Sequence, residues 1–172
     1  MEAGDIIRVT EDVLARLGLP YDTPPGRRLV LGTMAQESDL RFLYQMGRGP
    51  ARGICQMEPA TALDIWRNWM EPRWEQNQGQ LRKAFLRSTG LDPKHIFASG
   101  ETVGYYLASS LALDIAMCRL HYYRRPEPLP DDLPGQAAYW KQHYNTPLGA
   151  GKPEEYVARW NKHRLGVLLE AA

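Results

Sequence analysis

Apolar residues recur every three to four positions along most of this chain, and the spacing predicts helix nearly throughout. In "GDIIRVTEDVLARLGL", Ile6, Val9, Val13, Leu14 and Leu17 share one face, and Gly18 with Pro20 ends the element. "YDTPPG" is a turn cluster that leads into a second helix starting near Pro24 or Pro25. That helix carries Leu29, Val30, Thr33 and Met34 and reaches Glu37 at about its last turn. "RFLYQMGRGPARG" places three glycines and one proline in thirteen residues, the mark of a loop or short irregular hairpin. Pro59 suits the first turn of a third helix, "PATALDIWRNWM", because a proline there loses no needed N–H; Pro72 closes it.

The stretch from Glu71 to Gly100 is less regular, with one helix expected around Leu81 to Arg87. "ETVGYYLASSLALDIAMCRLHYYRR" reads as the longest helix, apolar almost all the way round and therefore central and buried. "PEPLPDDLPG" reads as a rigid surface crossing, and "QAAYWKQHYN" and "PEEYVARWNKHRLGVLLEAA" as two closing helices. Period-two alternation is weak and confined to the loop between Arg41 and Met57. The expected fold class is mainly α, one domain over residues 1–172, with a small β-hairpin beside a cleft as its only sheet.

Composition narrows the partners. Lys and Arg number 21 against 20 Asp and Glu, for a net charge of +1. A protein that lives by phosphate contacts carries a clear basic excess, so nucleic acid is not an expected partner. The basic runs "RLHYYRR" and "RWNKHR" read as helix ends, where cations complement the dipole. No apolar run approaches the roughly 20 residues of a membrane span. "MEAGDIIRVTED" lacks the charged-then-apolar pattern of a signal peptide, which implies synthesis in the cytoplasm. Cys55 and Cys118 have no metal-ligand spacing and read as reduced core thiols; no metal or other cofactor is expected. The aromatic stretch "WRNWMEPRW" favours core packing first, through Trp66 and Trp69, and a sugar or partner surface second.

Glu37 is the first candidate for chemistry. A carboxyl at the C-terminal end of a buried helix meets desolvation and the negative end of the dipole, and both favour its protonated form. A carboxyl that keeps its proton near neutral pH can act as a general acid toward a glycosidic oxygen. The opposite reading is an ordinary helix-end glutamate in water. In "GRGPARGICQMEPATA", glycines let backbone approach a ligand, and Gln56 offers a donor and an acceptor to a sugar hydroxyl or acetamido group. The second carboxylates within reach in sequence are Asp39, Glu58 and Asp64.

Together these stretches resemble the soluble lytic transglycosylase family of the lysozyme-like superfamily. The family pattern is a Glu-Ser pair, a variable loop, then Gly-Leu-Met-Gln-x-Met-Pro-x-Thr-Ala. Here it reads Glu37-Ser38, then Gly53-Ile54-Cys55-Gln56-Met57-Glu58-Pro59-Ala60-Thr61-Ala62, with Glu58 in place of an apolar residue. The family's late Ala-Tyr-Asn-Ala-Gly stretch is absent; "AAYWKQHYNTPLGAG" occupies its place, with either Tyr139 or Tyr144-Asn145 in the tyrosine's role. The resemblance implies a lysozyme-like fold and cleavage of the MurNAc-GlcNAc bond of peptidoglycan by Glu37 alone, giving a 1,6-anhydro product. It implies that Ser38 orients Glu37, and that Gln56, Met57 and one late tyrosine hold the sugars. Glu58 is either a further cleft carboxylate or a charge in the first turn of its helix. Two alternatives stand beside this reading, a hydrolytic muramidase and a non-catalytic lysozyme-like protein of a virion. The small size and the absent signal pattern suit a phage endolysin or virion lysin, acting at the wall and in contact with other virion proteins.

Overall fold

A computed structural model of the protein describes residues 2–145 and 149–171. The first periodic stretch forms α1, Ala3–Leu17, and buries Ile6, Ile7, Val13, Leu14 and Leu17. The second, α2, spans Pro24–Ser38; Thr23 caps it by accepting from the Gly26 N–H, and two prolines fill its first turn. From Leu29 to Ala35 every residue of α2 is buried, so this helix runs through the core rather than along its surface. Gly32 is where α2 meets the last long helix, α9 (Pro153–Lys162). A Cβ built there would lie 1.9 Å from the hydroxyl of the buried Tyr156. The remaining elements are α3 (Pro59–Ile65), α4 (Gln76–Thr89), α5 (Pro93–Ile96), α6 (Gly100–Ser109), α7 (Leu111–Tyr123), α8 (Leu133–Trp140), α9 (Pro153–Lys162) and α10 (Leu165–Glu170).

The protein is mainly helical, in keeping with the expected class. Several element boundaries differ from those read in the sequence. The longest expected helix is two helices, because Ser110 adopts extended backbone and its hydroxyl accepts from the Leu113 N–H, starting α7 afresh. α7 is nevertheless the buried central element, enclosed continuously from Leu113 to Tyr122. Pro72 does not close the third helix. α3 passes into a π-helical turn at Trp66–Met70, and Pro72 sits inside a following 3-10 turn, where its missing N–H is not needed. α8 begins inside the proline-rich crossing, with Asp132 accepting from Gly135 N–H as its cap. The last expected helix breaks at Arg164, whose φ of +54° is left-handed.

The expected hairpin is reduced to two isolated antiparallel bridges, Tyr44 with Arg52 and Arg52 with Met57. Gly47, Arg48, Gly53 and Gln56 all have φ between +51° and +77°, so the backbone turns too often for a ladder to extend. One contiguous hydrophobic core takes residues from α1 through α10. Trp66 stacks on Phe97 at 5.1 Å and meets Trp74 edge-on, so "WRNWMEPRW" is used for packing. Cys55 and Cys118 are free and buried. Among the described residues, no helix is long and apolar enough to cross a membrane.

Candidate active site

A cleft of about 770 Å³ lies between the C-terminal end of α2, the loop to α3, the end of α7 and the turn after α8. Glu37 lies on it, in the last turn of α2. The helix stops there because Asp39 and Leu40 take left-handed backbone, and their N–H groups return to the Ala35 and Met34 carbonyls. Asp39 then clamps this end to α9. Its carboxylate accepts from Lys162 Nζ at 2.6 Å and His163 Nε2 at 2.8 Å and pairs with Arg159 at 3.2 Å. Burial pushes the Asp39 carboxyl up, but the bonds from Lys162 and His163 outweigh it and hold it down at about 2. Asp39 is thus committed to α9 and does not line the cleft.

Glu37 is partly exposed as a residue, reached through the cleft, while protein encloses the rest of its carboxyl. That enclosure raises its pKa to about 7, against two opposing influences, the hydrogen bond from Trp140 and the charge of Arg159. The indole N–H of Trp140 donates to Glu37 Oε1 at 2.8 Å. Trp140 is itself completely buried at the end of α8 and packs against Tyr156, so it fixes one carboxylate oxygen in place. The helix-end position places Glu37; desolvation and the indole set its acidity and rotamer.

The facing wall is the turn Gly53–Met57. Gly53 has φ +77°, and a Cβ there would come within 2.4 Å of the Asp114 carboxyl, so both conformation and space require glycine. Asp114 projects from α7 into the core, and its Oδ2 accepts from the Cys55 N–H at 2.8 Å. Burial raises its pKa to about 7 despite bonds from the Cys55 and Ile54 backbone. Gln56, also left-handed, lines the cleft. Its amide Nε2 donates to the Phe42 and Gly53 carbonyls, at 3.1 and 2.6 Å, which leaves the side-chain oxygen as the acceptor. Met57 is buried against the cleft, and exposed Glu58 stands at its edge as the N-cap residue of α3, with no cap bond from its side chain.

Tyr144 and Asn145 lie on the cleft, and the Tyr144 hydroxyl donates to the Cys55 carbonyl at 2.8 Å. Of the two tyrosines proposed for the late position, the cleft therefore holds Tyr144. Tyr139 points the other way, its hydroxyl donating to the Glu127 carbonyl in the proline-rich crossing. Positions 146–148 of the same stretch lie outside the described residues. Ser38 is corrected in the same sense as Tyr139. It is buried, and its hydroxyl donates back to the Met34 carbonyl at 2.9 Å instead of orienting Glu37. Asp64 lines the cleft but is held by Arg124 at 2.6 Å and by Asn68, which lower its pKa. Beside it, His121 Nε2 donates to the His143 carbonyl at 2.7 Å, and burial lowers the imidazole to about 4.

Sequence reasoning missed three contributors. Trp140 gave no motif, though it adjoins the tyrosine under consideration. Asp114 had a usable signal, a single carboxylate within the apolar run "LALDIAMC". Arg125, on the cleft wall, was read only as part of a basic helix end. In comparison with known proteins, no family model, no curated protein and no solved structure matches this chain.

Proposed function

We propose that the protein cleaves the β-1,4 bond between N-acetylmuramic acid and N-acetylglucosamine in peptidoglycan as a lytic transglycosylase of lysozyme-like fold. The observation that carries this reading is Glu37, a carboxyl lying on a large open cleft, held by an indole N–H and raised to about 7 by burial. Glu37 gives its proton to the glycosidic oxygen as the bond to the muramyl C1 breaks, and the N-acetylglucosamine side leaves as an alcohol. The carboxylate left behind then takes the proton of the muramyl 6-hydroxyl as that oxygen closes on C1. The 1,6-anhydro ring results, and Glu37 ends as it began, so one carboxyl serves both halves. Gln56 presents its side-chain oxygen to a sugar N–H or hydroxyl, and Met57 and Tyr144 form the wall beside it.

Glu58 supports a second reading, a muramidase, because this exposed carboxylate lies on the same cleft and could activate water. Mass spectrometry of the products from purified peptidoglycan separates the readings, with Glu37→Gln beside the wild type. Anhydro-muropeptides from the wild type alone are expected. Reducing-end products would make the protein a muramidase, and no products from either would leave a binding or structural role. Phage origin and contact with other virion proteins are part of the same proposal.

A further inference from the structure

Arg119 is an arginine in the wrong surroundings. It lies on α7 with 3% of its surface exposed, and its Nε donates to the Tyr21 carbonyl at 2.6 Å. Its guanidinium carbon stands 5.5 Å from the centre of the Tyr123 ring. Nη1 is enclosed without an acceptor, and no carboxylate among the described residues pairs with the group. Withdrawing a guanidinium from water costs several kcal/mol unless acceptors replace the lost solvent, and one carbonyl and one ring replace only part of it.

This arginine lines a cavity of about 330 Å³ on the face of α7 away from the core of the cleft, at the lower end of the roughly 300–1,000 Å³ range of ligand sites. Pro25, Tyr122, Pro128 and Leu129 form its apolar walls. A second guanidinium, Arg125, is shared between this cavity and the cleft that holds Glu37. Its Nε is likewise buried and unpartnered among the described residues. The C-terminal end of α7 accounts for a cation at this position, but not for an enclosed donor without an acceptor. The facing carboxylate is Glu127, half exposed and turned to His143 at 3.9 Å. Two guanidiniums against one carboxylate leave a net single positive charge, which suits one carboxylate on an apolar body.

Resting on the proposed function, we infer that this cavity is a stem-peptide site: Arg119 and Arg125 take a carboxylate of the short peptide that hangs from the muramyl unit. The shared Arg125 wall lets a glycan strand lie in the cleft while its peptide crosses into the neighbouring cavity. The site then selects peptide-bearing strands over bare ones. A bidentate guanidinium–carboxylate contact is the strongest ordinary hydrogen-bonded pair, and its loss is felt about tenfold or more in affinity.

The test measures kcat and KM on solubilised glycan strands with stems intact and on the same strands after an amidase has removed them. The wild type is expected to favour stem-bearing strands about tenfold in kcat/KM, through KM rather than kcat. Arg125→Gln is expected to bring that ratio close to one, and Arg119→Gln to do the same where it folds. The ratio is taken within one protein, so a general folding defect cancels. Equal cleavage of both strands by the wild type, or an unchanged ratio in Arg125→Gln, overturns the stem-peptide site and leaves the glycan-cleaving function standing. Cleavage of neither strand by the wild type overturns the function and this site with it.

Discussion

Glu37 keeps its proton because burial disfavours its anion, and among the described residues Trp140 alone donates a hydrogen bond to it. A carboxyl at about 7 is half protonated at neutral pH, so the general-acid rate falls as pH rises through that value. Replacing Glu37 by Gln removes the transferable proton while preserving shape, and cleavage of peptidoglycan is expected to drop about 10²–10⁴-fold. Trp140→Phe is the subtler change. It keeps the buried ring and deletes the N–H that stabilises the carboxylate. The alkaline limb of the rate profile is expected to move upward by about one pH unit, the scale of one charge-assisted hydrogen bond; an unmoved limb would mean that the indole does not set this acidity. The helix-end placement of Glu37 was legible from its position after Leu29, Val30, Thr33 and Met34. Its environment was not, because the indole arrives from residue 140 and Arg159 from the helix beyond it.

The joints between helices are set by single residues that sequence periodicity does not weigh. Gly32 admits the Tyr156 hydroxyl directly onto the backbone of α2. Gly32→Ala is expected to force α9 away and to cost about 1–3 kcal/mol in urea unfolding, well outside the gain in helix propensity. Its effect reaches Glu37 as well, since Trp140 packs on Tyr156 at 5.7 Å between ring centres. The apolar periodicity located α1, α2 and α7 because their burial follows a repeating face or a continuous core. It missed the break at Ser110 because a serine hydroxyl capping Leu113 competes with helix continuation by one local hydrogen bond, to which an apolar count is blind. Ser38 and Tyr139 were misplaced for a related reason. Their hydroxyls are satisfied by the Met34 and Glu127 carbonyls, and a polar atom in a motif looks the same whether it faces a ligand or a backbone.

At the scale of the whole molecule, burial has pushed several groups in opposite senses. Glu37 and Asp114 are raised to about 7, and His121 is lowered to about 4. A raised carboxyl adds stability that is complete below its unfolded value near 4.5 and is lost as pH rises through 7. A lowered histidine adds stability that is complete above its unfolded value of 6.5 and is lost as pH falls through 4. The two slopes oppose each other, so single variants expose what the wild-type profile conceals. Glu37→Gln carries no ionisable group at this position, and its melting temperature relative to wild type is expected to rise from pH 4.5 to about pH 7 and to level off above it. A constant difference across that range would mean that Glu37 has ordinary acidity. The hydrogen bond between Trp140 and Glu37 has one further consequence, for the order in which the chain is made. A ribosome delivers Glu37 more than one hundred residues before the indole that completes it. A nascent or truncated chain lacking α8 and α9 carries a plain, solvated glutamate, unable to act as an acid at neutral pH. The proton-holding carboxyl therefore takes shape only when the last third of each copy has docked.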